Sequence, residues 1–238
     1  MNIFLFEPFK SSLDVDLSVG GFVIEKTNEM EVHVPKQKEI YSRDEFNQKE
    51  IFWKLVHGDY AFLDSPINKI YKKSVMARFD ETICISEDKA FNIECLKNVK
   101  KLALVSSAGY HYIMNDVSLS HRKYENLHLD LQKVDDLLFD YVRKFLKDEC
   151  LNELNYTISE TFLRCVRHYI SQNMDNKMLT EKIVEMVGNN NFQIILTLDS
   201  NSLQGKIVKS LMKKKKYRTF IKFYKFYIKV KGIDTNKN

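Results

Sequence analysis

Glycine and proline are scarce, at seven and three in 238 residues. A sandwich or barrel of short strands needs far more turn residues, so the composition points to long helices with fewer strands. Cysteine is scarce too. Cys84, Cys95, Cys150 and Cys165 stand far apart with no C-x-x-C pair, which suits reduced thiols better than a disulfide frame or a zinc site. Long apolar runs are missing: stretches such as "QIILTL" fall far short of the roughly 20 residues that a membrane span needs. "MNIFLFEPF" has neither a basic start nor a small-residue cleavage site, so no signal peptide is expected. These absences lead us to expect a cytoplasmic protein. A hydrophobic content of 44% suffices for a real core, in one large domain or one domain with an appendage.

Acid is missing from one end of the chain. Residues 206 to 231 hold ten lysines and Arg218 with no Asp or Glu, so a chain of net charge +5 has a body, residues 1 to 205, of charge −6. An acidic body carries a basic tail.

"DLSVGGFVIE" reads as a buried strand entered from a loop, with "MEVHV" as its shorter partner. "RDEFNQKEIFWKLVHGD" places Phe46, Ile51, Phe52, Leu55 and Val56 at helical spacing and closes at Gly58. After the loop "YAFLDSPINKIYKKS" comes "SEDKAFNIECLKN". Here Ser86 is a natural N-cap, and Ala90, Phe91, Ile93, Cys95 and Leu96 line the buried side. "KKLALVSSAGYHYIMN" is short and apolar and ends in aromatic residues, as a second strong strand would. From about Leu127 the apolar spacing becomes three-to-four, so the C-terminal half is expected to be helical. The expected fold class is α/β in the α+β sense.

Asp14-Val15-Asp16 spells Asp-x-Asp, a pattern that holds a divalent metal in many sugar-nucleotide enzymes. It stands at the mouth of an apolar run, and short motifs match by chance, so we read it as a strand entrance and assign no metal ligand. His111 and His121 have no spacing partner and stay unassigned.

Residues 65 to 124 contain, in order, a Pro-x-Asn-Lys-x-Tyr loop, an Arg-Phe-Asp-Glu step, a Glu-Asp-x-x-Phe helix start, a strand, Tyr-x-Tyr and a Ser-x-Ser turn. This order resembles the C-terminal, acceptor-side half of the family 2 glycosyltransferases, inverting enzymes of GT-A fold that build bacterial surface polysaccharides. The resemblance covers roughly residues 16 to 140. It implies a partial GT-A-like sheet in residues 1–126; the apolar spacing and the charge pattern add a helical region over 127–205 and a basic amphipathic tail over 206–238. It also implies transfer of a sugar from a nucleotide-sugar donor to a glycan acceptor.

Inverting transfer needs a carboxylate at a fixed spot to take the acceptor hydroxyl's proton. Glu87 and Asp88 occupy a first helical turn, where free N–H groups and the helix dipole favour and position a negative charge. Acids are common in first turns for that reason alone; the resemblance is what implies Asp88 as the base, with Glu87 beside it. Asn68 and Lys69 supply convergent polar groups of the kind that line a sugar or phosphate pocket, although an ordinary surface loop would also carry them. The resemblance places this loop at the border of the active site, with Tyr71 as packing. Tyr110, Tyr112 and Ser118 are weaker candidates for substrate contact, since aromatic residues at a strand end also serve cores.

The family's donor half is not found in this sequence: its first strand, its nucleotide loop and the Asp-x-Asp that holds Mn²⁺ or Mg²⁺. The metal ligands are therefore expected outside this chain. The possibilities are a truncated protein, a second chain that supplies the donor half, or a protein without transfer activity. A non-catalytic scaffold or binding protein of a membrane-associated polysaccharide assembly is the alternative reading.

On a helix, Arg218, Lys222, Lys225 and Lys229 follow one face, and Phe220, Phe223, Tyr224 and Tyr227 another. This is the profile of an interfacial helix resting on anionic lipid at the inner face of the plasma membrane. A terminal helix that packs its aromatic residues on the domain has the same pattern. Nucleic acid is not expected as a partner, because the acidic body would repel phosphate.

Overall fold

A computed structural model of the chain describes residues 14–26, 29–35, 39–57, 63–113, 124–146, 150–188 and 203–233. It is mixed α/β, as the sequence leads one to expect. The chain forms two compact units, one of residues 1–118 with 137–150 and one of 119–136 with 151–238.

The first unit is built on a curled five-stranded sheet of β1 (Leu17–Lys26), β2 (Glu29–His33), β3 (Glu39–Ser42), β4 (Lys69–Tyr71) and β5 (Lys101–Ile113). β1 and β5 are the two strong strands of the sequence, and they pair in parallel, Val19 opposite Leu104 and Phe22 opposite Tyr110. Two short strands share the other edge of β1. β4 pairs antiparallel with its first half, Leu17 opposite Tyr71, and β2 with its second half, Val23 opposite Val32. β3 pairs antiparallel with β5. The apolar starts of β1 and β5 are buried, and both strands become more exposed toward their C-terminal ends.

The β1–β5 register shifts on either side of Gly21. An added Cβ there would collide with the His33 carbonyl oxygen and Val34, whose Cα lies 2.9 Å from it. Glycine is needed at this bulge because another backbone crosses it closely. Gly21→Ala should therefore lower stability by about 1–3 kcal/mol, as an overpacked site that only backbone movement can relieve. Urea unfolding measures this.

The helix read over residues 43–59 is two helices, α1 (Arg43–Phe46) and α2 (Lys49–His57). Glu45 accepts hydrogen bonds from the Ser42 N–H and hydroxyl, both at 2.7 Å, and fixes the start of α1. Asn47 ends it, and its side-chain oxygen accepts from Tyr141 at 2.8 Å. Gly58 lies outside the described residues. α3 (Glu87–Leu96) buries Ala90, Phe91, Ile93, Cys95 and Leu96, the side read from the sequence. Arg43 donates to the carbonyls of Val99 at 2.8 Å and Lys97 at 3.1 Å, which satisfies the chain just past the end of α3.

α4 (Leu127–Phe145) contributes to both units, with the second up to Asp136 and with the first from Leu137. The second unit also holds α5 (Leu151–Ser171), α6 (Asn176–Gly188), α7 (Leu203–Lys213) and α8 (Tyr217–Lys231). His128 is fully buried there, with Nδ1 2.6 Å from the Tyr169 hydroxyl and Nε2 3.3 Å from Glu185. The long basic segment read as one helical stretch breaks between α7 and α8. The Lys216 and Lys215 N–H groups bond back to Leu211 and Met212, both at 2.9 Å, and Lys215 turns left-handed at φ 54°. α8 closes the same way at Gly232.

One expectation for the tail is corrected. Phe220 and Tyr224, assigned to a lipid-facing stripe, are buried at 0% and 1% exposure. Phe220 packs 6.0 Å from Phe162, and the Tyr224 hydroxyl accepts from Arg167 at 3.1 Å. They belong to the core because they share one side of α8 with Ile221 and Ile228 at three-to-four spacing, and that apolar side turns inward. Phe223 and Tyr227 are partly exposed, Arg218, Lys222 and Lys229 are exposed, and Lys225 donates to Asn176 at 2.9 Å. Among the described residues no helix is long and apolar enough to cross a membrane.

Candidate active site

Three segments of the first unit converge around the start of α3. β4 carries Lys69 and Tyr71; the preceding loop carries Asp64, Ser65 and Asn68; α3 presents Glu87, Asp88 and Asn92. Asn68 is buried and locks the loop onto β1, with its amide donating to the Gly20 carbonyl at 2.9 Å while the Gly20 N–H returns to the Asn68 carbonyl at 2.8 Å. Its side-chain oxygen accepts from the Lys69 ammonium at 2.7 Å, and that ammonium also donates to the Ser65 carbonyl. Asn92 accepts from the Tyr71 hydroxyl and donates to the Leu63 carbonyl at 2.9 Å. The Asn68 and Asn92 side chains thus tie β4, its loop and α3 together.

The electrostatics of Lys69 and Asp88 are linked. Burial pushes the Lys69 amine down from 10.5 to about 7, against the pull of the Asp64 and Asp88 carboxylates. The residue as a whole is partly exposed, so it is the ammonium itself that is turned inward. Burial raises the Asp88 carboxyl above the usual range; Glu87 adds to this and Lys69 opposes it. A carboxylate raised in this way is a stronger base than an ordinary surface aspartate, and so nearer the optimum for proton abstraction.

Ser86 stands at the N-cap but does not cap with its side chain. It is left-handed, at φ 63° and ψ 27°, whereas side-chain capping uses an extended residue. A non-glycine residue there costs about 1–2 kcal/mol. The strained residue immediately precedes Glu87 and Asp88 and sets how they leave the loop.

Phe79 was not singled out as a site residue in the sequence, although it belongs to the Arg-Phe-Asp-Glu step. Its ring stacks on Phe91 at 4.3 Å and 4°, and it remains 47% exposed. Phe91 lies one turn after Asp88 on the same side of α3. Asn92 was missed as well; its signal is a polar side chain among the apolar residues of a buried helix face.

Tyr110 and Tyr112 do not join this group. Lys69 is opposite Val19 on β1, whereas Tyr110 and Tyr112 are opposite Phe22 and Ile24, roughly 10 and 16 Å further along the strand. His111 between them pairs with Glu25. Ser118 and His121 lie outside the described residues.

The Asp-x-Asp sits at the entrance of β1. Although burial opposes its charge, Asp16 is held below the usual carboxylate range by the N–H groups of Lys100 at 2.8 Å and Lys101 at 3.1 Å and by the Lys72 ammonium at 3.3 Å. Asp14 takes the Lys101 ammonium at 2.6 Å. These carboxylates clamp β1 to β5 and β4, and their donor partners do not fit a divalent cation. Among the described residues no group of three or more His, Cys, Asp or Glu could hold a metal ion. A hollow of about 440 Å³ lies in the second unit, lined by Thr180 and residues 215–219, far in sequence from Asp88.

No protein-family model matches the chain, and no curated protein matches it.

Proposed function

We propose that this chain is the acceptor-side part of an inverting glycosyltransferase resembling family 2, with a GT-A-like sheet and Asp88 as general base. The observation that carries this reading is the convergence of the β4 loop with the start of α3, where Lys69, bonded to Asn68 at 2.7 Å, and Asp88 act on each other's charge although their motifs lie about twenty residues apart. Asp88 takes the proton of an acceptor hydroxyl. That oxygen bonds to the anomeric carbon as the bond from this carbon to the nucleotide diphosphate breaks, and the diphosphate leaves from the opposite face. Lys69 tunes the charge of Asp88 and Asn68 fixes Lys69, while Phe79 offers a flat apolar ring to an acceptor sugar. In this reading the donor nucleotide sugar and its divalent metal are held outside this chain, and the residues named above act on the acceptor alone.

Incubation of the full chain with UDP-sugars, Mn²⁺ and a membrane extract that can supply the donor-binding half separates this reading from a scaffold that keeps the acceptor-side fold without transfer. Sugar incorporation that rises with the added wild-type chain and not with Asp88→Asn is expected; equal incorporation with the two speaks for the scaffold.

Lys69→Met provides a second check with two readouts. The rate falls as pH drops through the Asp88 pKa, and loss of the nearby positive charge raises that pKa further. The acidic limb of the pH–rate profile should therefore move to higher pH. For stability, the folded Lys69 amine titrates near 7 and the unfolded one near 10.5. The unfolded chain binds more protons in that window, so wild-type stability rises with pH across it. Methionine abolishes that rise. A limb and a stability slope that both stay put contradict the coupling.

A further inference from the structure

The outer face of α8 is not the one that the aromatic pattern suggests. With Phe220, Ile221, Tyr224 and Ile228 buried, the exposed arc carries Arg218, Lys222, Phe226, Lys229 and Val230. Phe226 is 66% exposed and Val230 65%, both large apolar side chains on an outer surface. They follow i and i+4, so their side chains lie one above the other. Lys222 and Lys229 lie beside Phe226 on the same wheel, with Arg218 one turn before Lys222. The α7–α8 connection adds exposed Lys213, Lys214, Lys215 and Lys216. No acid interrupts residues 206 to 231.

We propose that this face docks on an anionic lipid bilayer, with Phe226 and Val230 inserted at the level of the headgroups and Arg218, Lys222 and Lys229 reaching the lipid phosphates. Charge complementarity selects the occupant: a helix face that carries cations and no acid of its own adjoins two largely exposed apolar side chains. An apolar pair contributes nothing to a purely ionic contact, but inserted between lipids it adds hydrophobic free energy to the attraction of the cations. Lysine stems lie along the apolar surface while their ammonium groups remain among the headgroups. Duplex nucleic acid would take up the cations and leave Phe226 and Val230 in water. The inference stands apart from the transferase reading, because docking needs neither donor nor acceptor.

The test is co-sedimentation of the full chain with vesicles of phosphatidylcholine alone or mixed with phosphatidylglycerol, beside a duplex DNA titration at the same salt. Binding should need the acidic lipid and weaken as salt rises. Phe226→Ser with Val230→Ser should lower partitioning about tenfold or more, and Lys222→Gln with Lys229→Gln about as much. All four positions are exposed, so circular dichroism should show an unchanged fold. No binding to acidic vesicles overturns the proposal. So does full binding by the Phe226/Val230 variant, or binding to DNA tighter than to the acidic vesicles.

Discussion

Asp88→Asn is expected to reduce sugar transfer by at least about a hundredfold while the protein stays folded, since positioned proton transfer contributes roughly 10²–10⁴-fold. Asparagine keeps the shape of the side chain but has no basic oxygen of comparable strength. The fold should not suffer, because burial and Glu87 both work against the Asp88 charge. Any loss of rate therefore cannot be laid to unfolding. The measurement is initial-rate transfer by wild type and variant under identical conditions, with thermal melts as the fold check. Full turnover in the variant removes Asp88 from the base role and leaves the convergence of β4 and α3 as an architectural feature.

Phe220→Ala should destabilise the second unit by about 3–5 kcal/mol, the range for truncating a buried aromatic side chain. Phe220 is 0% exposed and packs between Phe162, at 6.0 Å, and Tyr224, at 5.5 Å. Phe226→Ala on the opposite side of α8 should change stability by no more than about 0.5 kcal/mol, as surface substitutions usually do. The contrast between two phenylalanines six positions apart in one helix tests which face is core. Similar losses at both sites would mean that Phe226 is also covered. Denaturant unfolding of the full chain, followed by tryptophan-independent circular dichroism, gives both numbers.

The parts legible in the sequence were those where one physical pattern dominates. β1 and β5 stand out as apolar runs bounded by polar turns, and the Ala90 to Leu96 stripe names the buried side of α3. The helical second half follows from its spacing. β3 and β4 were not legible, because Glu39–Ser42 and Lys69–Tyr71 are too short for alternation to register and exist only through pairing with β5 and β1. The break at Asn47 left only a gap in the spacing, Phe46 and Ile51 standing five apart instead of three or four; Tyr141, distant in sequence, holds that turn. The outward face of α8 was hidden for another reason. Phe220, Phe223, Tyr224, Phe226 and Tyr227 share one arc roughly 160° wide, and periodicity cannot say which part of so broad an arc turns inward; only packing decides.

The candidate site divides in the same way. Glu87 and Asp88 could be placed in a first turn from the sequence, and Asn68 and Lys69 in a polar loop. Their mutual approach depends on β4 pairing with β1, which no local pattern announces. Ser86 was legible as a position but not as a conformation: its left-handed backbone gives up the side-chain cap that serine usually supplies. The Asp-x-Asp shows the reverse case, a motif legible for one chemistry whose carboxylates are held by Lys72, Lys100 and Lys101.

The central claim is inverting sugar transfer, and the anomeric configuration of the product tests it most directly. The full chain is incubated with labelled nucleotide sugars, Mn²⁺ and a membrane extract of the cells that make it, with the Asp88→Asn chain as control, and the new linkage is read by proton NMR. An α-linked donor should yield a β-linked product with wild type and none above background with the variant. A product of retained configuration, or equal incorporation with the two chains, contradicts the account.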